Sequence, residues 1–158
     1  MSQRWQVPAR FAFEMGLRGD CMSADGLGLS DRTRSIWGKT NRVDDSEWLP
    51  LYVHMADSAA VATKIWDTWV PQGTKDVIAR DLGGDEKLAR KLAVFLAGVH
   101  DIGKATPVFQ AKPITFGAEA ESFAWKAEKA GLPMIAGLRD CNHPTHPIAG
   151  EAILEGYL

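Results

Sequence analysis

Apolar residues in the middle of the chain recur at steps of three and four. From Leu51 to about Val70, Val53, Ala56, Ala60, Val61, Ile65 and Trp69 fall on one side of a helical wheel. Pro71 and Gly73 supply the stop. A second stretch opens at Asp85, whose carboxylate suits an N-cap, and carries Leu88, Leu92, Phe95, Leu96 and Val99 at the same spacing. It ends in His100-Asp101, with Gly103 as the expected terminator. Four shorter helices are expected. One starts after Ser30 and is halted by Gly38, and one runs from Thr106-Pro107 through Phe109. A third covers Glu119 to Lys129 and is closed by Gly131 and Pro133. The last begins near Thr145, passes through Ala149, Ala152 and Ile153, and reaches the C-terminus. Residues 39–50 read as a polar loop ending at Pro50. No segment alternates apolar and polar residues over strand length, so the pattern predicts an all-α fold.

Residues 1–29 have no sustained period and hold Gly16, Gly19, Gly26 and Gly28. They read as a loosely ordered leader with a short helix near Arg10–Leu17, ahead of a folded unit over 30–158. No repeat occurs at solenoid periods. A length of 158 residues, 46% of them hydrophobic, suits one domain with a core of its own.

Charge removes one class of partner from the simplest explanations. The net charge is -2 and the pI about 6.1, so no overall basic field draws the chain to nucleic acid. Such binding would need a local patch, a metal or an attached domain. Cys21 and Cys141 form no paired-thiol motif and fit a reducing compartment as well as a single disulfide. The apolar runs fall short of the roughly 20 residues that span a bilayer. The N-terminus, with Arg4, Arg10 and Glu14, lacks a secretory apolar core. A cytoplasmic protein with no membrane partner is expected.

The candidate chemistry lies where the second long helix ends. His100-Asp101 combines an imidazole nitrogen with a carboxylate oxygen, a mixture that suits Mn, Fe, Co, Ni or Zn better than Ca. His54 lies near the start of the first long helix, and Asp57 one turn later shares its side. That carboxylate could fix the tautomer of the His54 ring, or the two could be an ordinary surface pair. In Asn142-His143-Pro144-Thr145-His146-Pro147, His146 sits at a helix start and is the preferred third imidazole, with His143 as its competitor. Gly150, four residues after His146, leaves room for a neighbouring helix. Lys104 is either an ordinary solvated lysine or a cation facing a transferring phosphoryl group. The six tryptophans read as core or interface residues rather than as base-stacking platforms.

These residues carry a family resemblance. His54, His100-Asp101 and Lys104 on a helical background resemble the HD superfamily of metal-dependent phosphohydrolases. Ser35-Ile36-Trp37-Gly38-Lys39, Glu47-Trp48-Leu49-Pro50-Leu51, His54-Met55-Ala56-Asp57 and Ala59-Ala60-Val61-Ala62 occur in order, followed by Leu96 to Lys104 and Phe109-Gln110. That series resembles the N-terminal HD nuclease domain of the CRISPR-associated nuclease-helicase of type I interference systems, in its type I-E form. It covers about residues 30–158 and implies an HD-domain helical bundle.

The resemblance implies metal-dependent cleavage of single-stranded DNA, with one or two divalent ions (Mn, Ni, Co, Fe or Zn, with Mg as a further candidate). It implies a helicase domain in the same or a companion chain and recruitment by an RNA-guided surveillance complex. By residue, it implies His54, His100, Asp101 and His146 as metal ligands, Asp101 and Lys104 as catalytic, and Asp57 behind the ligands. The family continues with a Gly-His-His-Gly segment and a later Asp, which this sequence lacks. A C-terminally truncated domain is therefore expected, with an uncovered apolar face that promotes oligomer formation. Two further readings remain: an HD phosphohydrolase acting on small nucleotides, and a catalytically silent metal-binding or docking module.

Overall fold

The computed structural model describes residues 28–40, 48–112, 122–134 and 143–156. The chain is mostly helical, as expected, with seven α-helices among the described residues. Helix α1 (Asp31–Ser35) is capped by Ser30, whose hydroxyl accepts from the Thr33 N–H at 3.3 Å. It ends two residues earlier than expected, because Ile36 is already extended and Gly38 lies in a strand rather than stopping the helix. Strand β1 (Trp37–Thr40) pairs antiparallel with β2 (Trp48–Pro50), with Trp37 opposite Pro50, Lys39 opposite Leu49 and Thr40 opposite Trp48. This hairpin is the departure from a purely helical fold. Its strands are too short for alternation to show, and the register is irregular between Trp37 and Lys39.

The chain passes from β2 directly into α2 (Leu51–Thr68), where the Leu51 N–H donates to the Ile36 carbonyl at 2.8 Å. Gly38 lies against the start of that helix: a Cβ there would stand 3.0 Å from Leu51 Cα and 3.5 Å from His54 Cβ. Helix α3 (Gln72–Asp81) follows at once. The sequence pattern concealed it, because Pro71 and Gly73 read as breakers, whereas Pro71 is the N-cap and Gly73 the second helical residue. Gly83 and Gly84, both at positive φ, end it and turn the chain into α4 (Glu86–Val99). There Asp85 caps as expected, accepting from the Leu88 N–H at 3.0 Å.

After α4, a 3₁₀ turn (Ile102–Ala105) leads to α5 (Pro107–Gln110). Gly103 lies inside this turn rather than terminating α4, which stops at Val99. Helix α6 (Ala124–Lys129) covers the end of the segment expected from Glu119, and Gly131 at φ 77° closes it. Helix α7 (His146–Glu155) starts at the Thr145 N-cap. Residues 1–27 of the leader expected over 1–29, with the helix expected near Arg10–Leu17, lie outside the described residues.

Two apolar clusters hold the fold. In one, Trp66, Ala79 and Ala89 join α2, α3 and α4, with Val70, Ile78, Leu82 and Ala93 around them. In the other, Trp37, Phe109 and Phe123 pack with Trp48, with the Trp37 and Phe109 ring centres 4.7 Å apart. Much of the apolar stripes of α2 and α4 faces outward. Val61 and Ile65 of α2, Trp69 just after it, and Leu88, Leu92, Phe95 and Leu96 of α4 are all exposed. The helices meet instead on small residues. A Cβ on Gly98 would stand 3.4 Å from Ala59 Cβ, and Ala89 is fully buried. Small side chains let the backbones approach, and the large apolar stripes are left facing outward. Among the described residues, no helix is long and apolar enough to cross a membrane.

Candidate metal centre

Asp101 is the hub of the polar interior. Helix α4 ends at Val99, His100 keeps helical angles, and Asp101 turns into the bridge region (φ -107°, ψ 11°). That change of direction lets two consecutive side chains converge. His100 Nε2 lies 3.2 Å from Asp101 Oδ2. The first turn of α2 brings His54, whose Nε2 lies 2.8 Å from the same oxygen. The first residue of α7 brings His146, with Nε2 3.2 Å from Oδ1. Three imidazole nitrogens from three helix ends thus meet one carboxylate. Potential ligand atoms of His54, His100 and Asp101 all lie within 4.8 Å of one another.

Backbone fit makes this convergence possible. A Cβ on Gly103 would overlap the carbonyl of His146 and stand 2.5 Å from the Gly150 nitrogen. From the other side, a Cβ on Gly150 would meet Gly103 N at 3.3 Å and Ile102 Cγ2 at 3.4 Å. The role expected of Gly150 is therefore met, with the 3₁₀ turn as the neighbour. Gln110, which the spacing gave no reason to select, fixes the turn to the hairpin. Its amide donates to the carbonyls of Trp37 at 2.9 Å and Lys104 at 2.8 Å, and its oxygen accepts from the Trp37 N–H at 3.2 Å. A buried glutamine at the end of a four-residue helix has no sequence signature beyond its place in the motif series.

Lys104 is buried at the carboxylate, with Nζ 2.7 Å from Asp101 Oδ2 and donating to the Gly38 carbonyl at 3.1 Å. Burial raises the Asp101 pKa, but hydrogen bonding and charge from Lys104, with help from His54 and His100, outweigh it and leave the carboxyl below its ordinary range. His54 is lowered from its ordinary value, chiefly by desolvation, which the Asp101 hydrogen bond only partly offsets. His146 is lowered as well, again mainly by desolvation. At neutral pH His54 and His146 are therefore neutral beside an ionised Asp101.

His100 Nδ1 lies 2.8 Å from the Ala97 carbonyl. Because a carbonyl only accepts, Nδ1 carries a proton in that contact, which fixes the orientation of the ring. Asp57 is exposed and makes no hydrogen bond to His54 among the described residues; its charge and that of His54 interact only through space. Partial desolvation raises the Asp57 carboxyl. His143 is exposed and lies in the loop ahead of α7. Of the tryptophans, Trp37 and Trp66 are buried, while Trp69 and Trp125 face solvent.

The donor set passes the chemical test for a divalent transition ion. Imidazoles and a carboxylate are borderline and hard donors respectively, and those of His54, His100 and Asp101 are close enough together to share one ion. His54, His100 and Asp101 could hold it, and His146 adjoins them through Asp101 Oδ1.

Comparison with known proteins agrees with this chemistry. The family described as "Cas3, HD domain" matches residues 37–158. A CRISPR-associated nuclease/helicase Cas3 of Streptococcus thermophilus is 35% identical over 117 residues, which is 70% of this chain and 13% of that relative. A CRISPR-associated endonuclease/helicase Cas3 of Thermus thermophilus is 34% identical over 107 residues, or 68% of this chain and 10% of that relative. The chain thus spans about a tenth of the length of these relatives. No solved structure gives a significant match. The family match begins at the first residue of the hairpin and takes in every side chain that meets Asp101, so this chain belongs to the Cas3 HD-domain family.

Proposed function

We propose that the chain provides the metal centre of a nuclease that hydrolyses phosphodiester bonds of single-stranded DNA, within a type I-E CRISPR interference nuclease-helicase. The observation that carries this reading is the meeting of three imidazole Nε2 atoms at Asp101 in a member of this family. One or two ions of Mn, Ni, Co, Fe or Zn fit the donors, with Mg as the weaker match to imidazole. When bound, such an ion supplies Lewis acidity at the scissile phosphate and a ready nucleophile at neutral pH. The protein orients the donors. Asp101 stays ionised beside Lys104, the His100 ring is fixed through Ala97, and the hairpin anchors Lys104 through the Gly38 carbonyl. Lys104 acts through Asp101 in this arrangement, and Asp57 touches His54 only through its charge.

The opening of the site favours a polymer over a free nucleotide. His100 is exposed and His146 partly so, and the depression lined by Asp76, Ala79, Arg80, Gly83 and Gly84 holds none of the four ligands. The outward apolar stripe of α4 supports association with a helicase domain or a further copy, in a cytoplasmic complex recruited by an RNA-guided assembly. The direct test incubates circular single-stranded DNA with the chain and Mn, Ni or Co. Cleavage that Asp101→Ala reduces at least about a hundredfold, with circular dichroism unchanged, is the expected result. Nucleotide turnover without strand cleavage would replace this reading with a small-molecule phosphohydrolase. Metal uptake without either activity would leave a silent docking module.

A further inference from the structure

Not every tryptophan of the chain serves the core. Trp125, in α6, is 55% exposed. Its surroundings set it apart. The Lys126 ammonium lies 4.6 Å from the centre of the Trp125 ring, 4.6 Å from that of Trp48 and 5.1 Å from that of Phe123. Two indoles and a phenyl ring thus gather around one cation. No carboxylate pairs with Lys126 among the described residues. Trp69 is more exposed still, but no lysine stands over its ring among the described residues.

An unpaired cation set among aromatic rings, one of them open to solvent, is the combination by which single strands are held. Bases stack on the rings, and the charge draws the phosphates. The same rings are tied to the metal centre. Phe123 meets Trp37 at 6.1 Å, Trp37 meets Phe109 at 4.7 Å, and Phe109 meets the His146 ring at 5.8 Å. Trp37, Phe109 and Phe123 are buried, so this row fixes how far the exposed indole stands from His146. Followed from ring to ring, the separation is at most about eight nucleotide steps of roughly 3.4 Å, within reach of a short strand.

We propose that Trp125, with the Lys126 cation against its ring, is a base-stacking platform that holds single-stranded DNA a few nucleotides from the metal centre; the identity of the strand rests on the nuclease reading above. Trp125 is a positioning residue. It touches a base and none of the metal donors. A chain with net charge -2 can hold a strand in this way, because stacking needs no overall basic field.

The test measures binding of a fluorescein-labelled oligothymidylate to the metal-free chain by fluorescence anisotropy, beside Mn titration by calorimetry. Trp125→Leu keeps an apolar side chain and removes the ring, so it should weaken binding about 5-fold to 150-fold, the worth of one stacked base. Trp125→Phe, which keeps a ring, should recover most of that loss. A strand of the same length built from abasic sites carries the phosphates without the bases, and it should bind the wild type and Trp125→Leu alike. Mn affinity should not change. Equal affinity of the wild type and Trp125→Leu for oligothymidylate overturns the platform while leaving the nuclease reading in place. An equal loss toward the abasic strand overturns it too, since the effect would then not come from bases. A wild-type chain that takes up Mn but binds neither strand overturns both readings.

Discussion

A single oxygen shows how the site is tuned. Asp101 Oδ2 lies within 3.2 Å of His54, His100 and Lys104, so three potential donors compete for one acceptor. A divalent ion would relieve that crowding by taking lone pairs from nitrogen and oxygen together. The adjacent His100-Asp101 pair, His54 and His146 were legible in the sequence because imidazoles and carboxylates have few other uses in apolar surroundings. The placement of Lys104 was not legible, since whether a lysine three residues beyond an aspartate turns inward depends on the Gly38 carbonyl, 66 residues away in the chain.

The pKa shifts give a pH dependence of definite sign. His54 and His146 are lowered, so the folded chain binds their protons less tightly than the unfolded one. Their contribution is fully present above the ordinary imidazole value of 6.5 and is lost as pH falls below it. Asp101, also lowered, adds a further loss below the ordinary carboxylate value of 3.8. Asp57, raised, has the opposite sign but acts from 3.8 upward into its own raised range. The melting temperature of chelator-treated protein should therefore fall from pH 7.5 to 5.5. A flat profile over that interval would contradict the shifts.

At the level of elements, periodicity found both long helices but not the faces on which they meet. A helical wheel ranks side chains by hydrophobicity, whereas close packing of α2 on α4 selects for the lack of a side chain at Gly98 and a small one at Ala59. Helix α3 was hidden because Pro71 and Gly73 mark a beginning as readily as an end. The hairpin was hidden because three- and four-residue strands carry too little alternation to read. The contact between the 3₁₀ turn and α7 is the element-level feature most sensitive to change. Gly103→Ala would drive a methyl group into the His146 carbonyl, at a cost of about 1–3 kcal/mol if the backbones part. The expected result is a lower unfolding midpoint together with weaker Mn binding, because His146 leaves Asp101. A variant that loses stability but keeps its Mn affinity would separate the contact from the site.

For the whole molecule, the outward stripes matter most. Leu88, Leu92, Phe95 and Leu96 are 46%, 37%, 48% and 52% exposed, an unusual amount of apolar surface for one helix of a small domain. Concentration-dependent self-association should be measurable by sedimentation velocity, and Leu92→Glu with Phe95→Glu should abolish it. Sedimentation as a monomer at every concentration would show that the stripe does not match itself.

The donors at Asp101 come from the ends of α2, α4 and α7, so denatured polypeptide has nothing comparable to offer a cation. Metal uptake and folding are then thermodynamically linked: Mn at a hundred times its dissociation constant should stabilise the native state by about 2.7 kcal/mol. A heat-denaturation curve recorded with and without Mn would reveal that gain directly, and Asp101→Ala should erase it. Occupancy could be followed in this way as a shift in melting point, with no DNA in the tube.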